Sequence, residues 1–253
     1  MDYEALIHEA LTTPFEGWDF SVFGDRVTYD GTLPWDYERL VRDHLAHAKA
    51  LLDLGTGGGE FLSSLAPLPP RTAATEAHPP NLPLARARLE PLGVAVTEDT
   101  RPFPDASFDL IINRHDSYDP HESNRLLTPG GTFLTQQVGG RDLEEINAAL
   151  GGPPHEDHSW NLDTAATGLN VTWSQEGSFT TTFHDIGALV LFLRVIPWQV
   201  PNFDVHTYEP RLRALHDAMK RGHPLHTTAH RFALLARKRP FDAGERTIRV
   251  FPK

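Results

Sequence analysis

The chain has 253 residues, enough to bury a large core without covalent staples, and no cysteine, which removes disulfides and thiolate chemistry and fits a reducing cytoplasm. Lys plus Arg number 23 against 34 Asp plus Glu, and the net charge of −11 repels phosphate backbones, so nucleic acid is disfavoured as a partner. The first thirty residues lack the basic start and apolar block of a signal peptide, and no run approaches the length of a membrane span; a cytoplasmic protein with no membrane partner is expected.

Apolar positions at helical spacing predict helices over 1–12 and 36–50, with the aromatic loop FEGWDFSVFG between them. This 1–49 segment reads as a helical and aromatic lid, in which Trp18, Phe20 and Trp35 either cover a ligand or staple the segment to the core. From Lys49 onward short apolar runs alternate with helical stretches: ALLDL, EFLSSLA, TAATE, NLPLARARLEPL, VAVTE, FDLIINR, HESNRLL, GTFLTQQV and DLEEINAAL. Such alternation predicts strand and helix units on a largely parallel sheet, five strands by residue 138. After GGPP at 151–154 come a helix near 160–168 and a sixth strand near 170–179. The block HDIGALVLFLRVIPW is too short to span a membrane and reads as a buried helix ended by Pro197; a helix over 208–221 and a last strand, HRFALLARK, follow. The reading is a single domain over 1–253, with a core at 50–150, a second half of the sheet at 151–239 carrying a helical insertion at about 183–225, and a tail at 240–253.

Asp53 ends the first strand of that core, and Gly55, Gly57, Gly58 and Gly59 form the turn into the next helix. Glycine there allows positive φ and lets backbone N–H groups come within contact distance of a ligand. The dinucleotide fingerprint requires a small residue where Glu60 stands and leaves Asp53 without a role, so a nicotinamide cofactor fits poorly. Acids recur at the ends of the next two strands, Glu76 and Asp99, and three acids at consecutive strand ends are harder to explain as helix caps than any one of them.

The pattern D-x-G-x-G-x-G resembles the first motif of class I methyltransferases that use S-adenosylmethionine, and PFPDASFDLI followed by LLTPGGTFL resembles their later motifs. The resemblance implies an α/β, Rossmann-like fold with a mostly parallel seven-stranded sheet, an antiparallel last strand and helices on both faces. It also implies cofactor contacts: the loop backbone at Gly55, Thr56, Gly57 and Gly59 against the methionine part, and Asp53 balancing its ammonium. Glu76, with Ala77 beside it, would bind the ribose hydroxyls, Asp99 and the Thr100 backbone the adenine, and Asn113 would line the site at the end of the fourth strand. GWDFS, PWDY, NRHDSYDP and TQQVGG look like a bacterial subgroup of this class, for which they indicate no substrate.

The acceptor side is expected after the fourth strand, at NRHDSYD, because strand carboxyl ends face the ligand crevice of an open sheet. The N/D-P-P-Y/F sequence of enzymes that methylate base amines or glutamine amides is absent there. His115 is a candidate general base and Arg114 a candidate grip for an acceptor carboxylate; the structural alternatives are a histidine bonded to backbone and an arginine paired with Asp116 or Asp119. Gln136 and Gln137 end strand five and either present amides to an acceptor or lie solvated. His155 with His158, and His223 with His226 and His230, lack a fixed tetrahedral spacing, so no metal is expected. A small-molecule acceptor, methylated at O, N or C by in-line displacement, is the expected partner. An RNA or protein acceptor at a patch of Arg211, Arg213, Lys220 and Arg221, or a cofactor-binding scaffold without turnover, are the alternatives.

Overall fold

The computed structural model describes residues 2–15, 20–154 and 165–240. In chain order the elements are α1 (Tyr3–Thr12), β1 (Val27–Asp30), α2 (Tyr37–Leu45), β2 (Ala50–Leu54), α3 (Glu60–Ser64), β3 (Arg71–Thr75), α4 (Leu82–Leu89), β4 (Ala95–Thr97) and β5 (Phe108–Arg114). They continue with α5 (Pro120–Leu126), β6 (Leu127–Val138), α6 (Glu144–Leu150), β7 (Asn170–Phe183), α7 (Ile186–Val195), α8 (Glu209–Lys220) and β8 (Leu225–Arg237). One sheet holds the strands in the order β1-β7-β8-β6-β5-β2-β3-β4. The pairs among β6, β5, β2, β3 and β4 are parallel, whereas β8, β7 and β1 are added antiparallel.

The α/β class and the antiparallel last strand are as the sequence predicts, but the sheet has eight strands, not seven. The added one, β1, falls in the segment read as lid: VTYD offers one buried residue followed by three exposed ones, too short and too polar to announce itself. The PGG of the LLTPGGTFL motif lies inside β6, where a register shift opposite Phe108 and Leu110 and a positive φ at Gly130 accommodate it. The helix predicted near 160–168 falls largely outside the described residues.

Alternating residues of the central strands feed two cores on opposite faces: Leu51, Leu110 and Ile112 on one, Leu52, Ile111 and Phe133 on the other. A sheet covered on both faces reads as the continuous apolar runs seen in ALLDL and DLIIN. The strand order reverses between β2 and β5, so the crevice of the fold opens at their carboxyl ends.

β7 and β8 run past that carboxyl edge. Val138, the last residue of β6, pairs with Arg231, which pairs with Gly177; beyond this the ribbon continues from Ser178↔His230 to Phe183↔Leu225, with β1 on its outer side. A third core forms against this overhang from Tyr3, Leu6, Phe23, Val27, Phe183 and α7. α7 is buried all round, from Ile186 to Leu193, which accounts for its unbroken apolar sequence. Its N-cap Asp185 accepts from Ala188 N–H and grips the Arg26 guanidinium in a two-point fork, both contacts 2.7 Å; Arg26 also reaches Glu9 of α1. Among the described residues no helix is long and apolar enough to cross a membrane.

Candidate functional site

The turn after β2 is open backbone. Gly55, Gly57 and Gly59 have φ of 69°, 63° and 81°, values that L side chains rarely adopt. A Cβ on Gly55 would overlap the Asp116 carboxylate, and one on Gly59 would press into Leu89. The turn is fixed to β3 by Thr56 N–H to the Thr75 carbonyl (2.9 Å) and Gly55 N–H to Thr75 Oγ1 (3.2 Å).

Three carboxylates converge on this turn. Asp53 is 4% exposed, and burial pushes its pKa up to about 7 against the opposing pull of the Thr56 hydroxyl and the Arg114 charge; Asp116 and Glu76 add to the rise. Burial also raises Glu76, although the N–H groups of His78 and Gly57 bond its carboxylate, and Asp116 rises for the same reason. None of the three is in an ion pair among the described residues. Asp116 was weighed in the sequence only as a partner for Arg114; nothing in NRHDSYD shows that the chain folds back to lay this carboxylate over Gly55.

Thr56 Oγ1 is buried in the turn without a partner, close enough to Asp53 to favour its ionised form yet outside ordinary hydrogen-bond geometry; Asn81 Nδ2, at the start of α4, is also buried and unpartnered. Ala77 is exposed beside Glu76. Asp99 is half-exposed and occupied: Arg101 donates to it from its backbone N–H (2.9 Å) and its guanidinium, holding the carboxyl below its usual range. The Thr100 side chain bonds Glu122.

Asn113, 0% exposed, belongs to the frame. Its amide donates to the Leu54 carbonyl (2.9 Å), and its oxygen accepts from Thr135 Oγ1 (2.9 Å) and from Gln137, whose amide also reaches the Asp116 carbonyl. Gln137 is thus neither solvated nor presented to a ligand; it ties the ends of β2, β5 and β6 together.

Arg114 pairs with neither Asp116 nor Asp119; its guanidinium lies 4.2 Å over the Phe61 ring. Phe61 in turn packs against Tyr37, whose hydroxyl donates to the Asn113 carbonyl (2.8 Å). His115 sits at φ 61° with its N–H on the Gln136 carbonyl. Its ring is reached by solvent from the mouth of the crevice yet densely surrounded; that desolvation, then Arg231 and Arg114, push its pKa well below the usual imidazole range. Gln136 Oε1 accepts from the Trp35 indole (2.8 Å) while its Nε2 meets His115 Nε2 (2.9 Å). An indole N–H only donates, so the Gln136 oxygen must face Trp35 and its NH2 must face the histidine. In this arrangement His115 Nε2 is the acceptor and a neutral ring carries its proton on Nδ1.

The remaining candidates disperse. Trp18, His155 and His158 lie outside the described residues. Phe20 stacks on Phe23 in the overhang core, whereas Trp35 reaches Gln136 at the crevice. His226 bonds Thr182, and His230 lies 3.6 Å from Glu176. In the basic patch, Arg213 is shared between Glu4 and Glu209, which offsets its charge.

Residues 52–135 match the family model of the methyltransferase domain. No curated protein matches the sequence. Among solved structures, the YcgJ protein of Bacillus subtilis is 18% identical with a TM-score of 0.56, covering 80% of this chain and 98% of its own. A candidate methyltransferase from Bacillus halodurans C-125 is 17% identical with a TM-score of 0.55 and the same coverage. The [4+2]-cyclase SpnF is 17% identical with a TM-score of 0.50, covering 93% of each chain. The glycine turn, the strand-end acids, this sheet order and the match over residues 52–135 together make the chain similar to class I, S-adenosylmethionine-dependent methyltransferases.

Proposed function

We propose that the chain transfers a methyl group from S-adenosylmethionine to a small-molecule acceptor at O, N or C. The observation that carries this reading is the group Asp53, Glu76 and Asp116, gathered around a turn of bare backbone with no ion-paired cation. A dinucleotide would add phosphates to that charge. A ligand with an ammonium and a sulfonium offsets it. The positive-φ glycines leave room for the ligand's methionine part, and the unpartnered Thr56 hydroxyl and Asn81 amide are polar atoms for it to satisfy.

The cofactor, when bound, supplies a methyl group on a positively charged sulfur. The chain's own work is then to align the acceptor and exclude water, which needs no dedicated base. Arg114 offsets part of the acid charge at Asp53. His115, with Nε2 engaged by Gln136, serves as a hydrogen-bond donor through Nδ1 rather than as the base its sequence position suggests. Fold alone does not fix such chemistry, as the likeness to a [4+2]-cyclase illustrates. Calorimetry with S-adenosylhomocysteine and with NAD tests the reading: heat with the first and none with the second is expected, and the reverse, or silence with both, would overturn it. Binding of RNA that weakens steeply with salt would move the acceptor to nucleic acid.

A further inference from the structure

An open hollow of about 790 Å3, within the size range of small-molecule sites, lies where the loop before α2 meets the overhanging ribbon. Its walls are Tyr29 of β1, Phe179 of β7, and Leu33 and Trp35 of the loop leading to α2. The overhanging ribbon makes this corner: it carries Tyr29 and Phe179, ring edge to ring face with centroids 6.0 Å apart, past the end of β6. The loop can lie close on the ribbon because position 177 is glycine; a Cβ there would strike Pro34 Cδ at 2.5 Å.

The floor connects the cavity to the methyltransferase site. Tyr37 lines it and holds the Asn113 carbonyl, with its ring against Phe61 of the helix that follows the glycine turn. Gln136 also lines it and binds His115.

Among the described residues the lining contains no cation to receive a carboxylate or phosphate. Its one charged residue among them, Asp36, caps α2 through the Arg39 N–H (3.0 Å) and repels anions. The Gln136 amide is held between Trp35 and His115, and the Tyr37 hydroxyl donates to backbone, so the polar groups of the floor are already engaged. Arg231, which approaches Phe179 from outside the lining, is paired with Asp142. Apart from the hydroxyls of Tyr29 and Thr32, what remains is apolar and largely aromatic surface without charge, which recognises area and flatness rather than charge.

We propose that this cavity is the acceptor site and that it selects an uncharged, flat, apolar molecule of the aromatic class. The inference rests on the methyltransferase reading above. Its test compares 1-naphthol with 1-naphthoate by calorimetry on the full chain saturated with S-adenosylhomocysteine, and repeats both titrations without it. Naphthol binding at least about tenfold tighter than naphthoate is expected; equal affinity, or preference for naphthoate, overturns the proposal. Leu33→Asp should weaken naphthol by about tenfold or more with S-adenosylhomocysteine affinity unchanged, and Leu33→Arg should turn the preference toward naphthoate. Wild-type naphthol affinity in a folded Leu33→Asp variant overturns the location. The S-adenosylhomocysteine titration separates the two readings: if S-adenosylhomocysteine fails to bind while naphthol is still preferred, the cofactor reading falls and the cavity's selectivity stands. If it binds while naphthoate is preferred, the cavity assignment alone falls.

Discussion

The two ends of the crevice are built on opposite principles. Around Gly55 the chain packs the buried carboxylates of Asp53 and Glu76, with the exposed Asp116, against open backbone and tolerates their unbalanced charge; across Tyr37 and Gln136 it lines a hollow with rings and engages the Tyr37 hydroxyl and Gln136 amide internally. The first arrangement costs stability without a ligand, since a buried carboxylate prefers to be ionised only beside a cation or donors. The second carries no such tension. In the proposed reading, charge selects the methyl donor and shape selects the acceptor.

The largest effect is expected from Gly55→Val. A side chain there must adopt a left-handed φ of 69° and displace the Asp116 carboxylate. A stability loss of about 1–2 kcal/mol from the backbone alone, by thermal melting, should accompany a loss of S-adenosylhomocysteine affinity on the order of 100-fold. Binding close to wild type would show that the turn is only a structural corner.

Asp53→Asn comes next, with affinity expected to fall by about tenfold. This carboxyl is raised in the folded protein, so between its ordinary range and about pH 7 the folded state binds a proton that the unfolded state has lost. Stability of the ligand-free protein should therefore fall as pH rises from about 4 to 7, and the Asn variant should flatten that slope. Cofactor affinity should move the other way, rising from pH 6 to 8.

Gln136→Glu sharpens the contrast at the boundary of the two ends. A carboxylate at that position accepts from both Trp35 and His115, so the imidazole should recover a pKa nearer the ordinary range, with the change read from its nitrogen chemical shifts. Cofactor affinity should stay within about threefold. A wild-type titration of His115 would remove Gln136 as the group that sets its tautomer. Arg101→Ala is expected to do least: freeing the exposed Asp99 carboxylate should improve cofactor affinity by about threefold at most, the scale of a surface pair.

The glycine turn and its first two acids are legible in the sequence because they are local. Asp53, Glu76 and Asp99 each stand where an apolar run ends; the fold buries Asp53 and Glu76, whereas Asp99 lies half-exposed and paired with Arg101. Even here Asp116 was hidden, since its place over Gly55 depends on the backbone turn at His115, a positive φ at a non-glycine residue. The cavity was out of reach for a different reason. Tyr29, Trp35, Gln136 and Phe179 are brought together by the register of β1, β7 and β8, and β1 is a four-residue strand with a single buried position. The aromatic segment before the core had been noticed as a lid, but periodicity does not tell which of its rings turns inward: Phe20 joined the overhang core and Trp35 the crevice. The resemblance places Asn113 in the cofactor site, and Gln137 reads as either acceptor-facing or solvated; in the structure both side chains bond within the frame that ties β2, β5 and β6.

The most direct measurement is the proton count on binding S-adenosylmethionine, taken by calorimetry at pH 6.5 in two buffers of different ionisation enthalpy. With Asp53 near pKa 7 in the ligand-free protein, arrival of the cationic ligand should release part of a proton, and Asp53→Asn should abolish the release. Binding with no proton release in the wild type, or the same release from the Asn variant, would contradict the role of these acids as the counter-charge of the methyl donor.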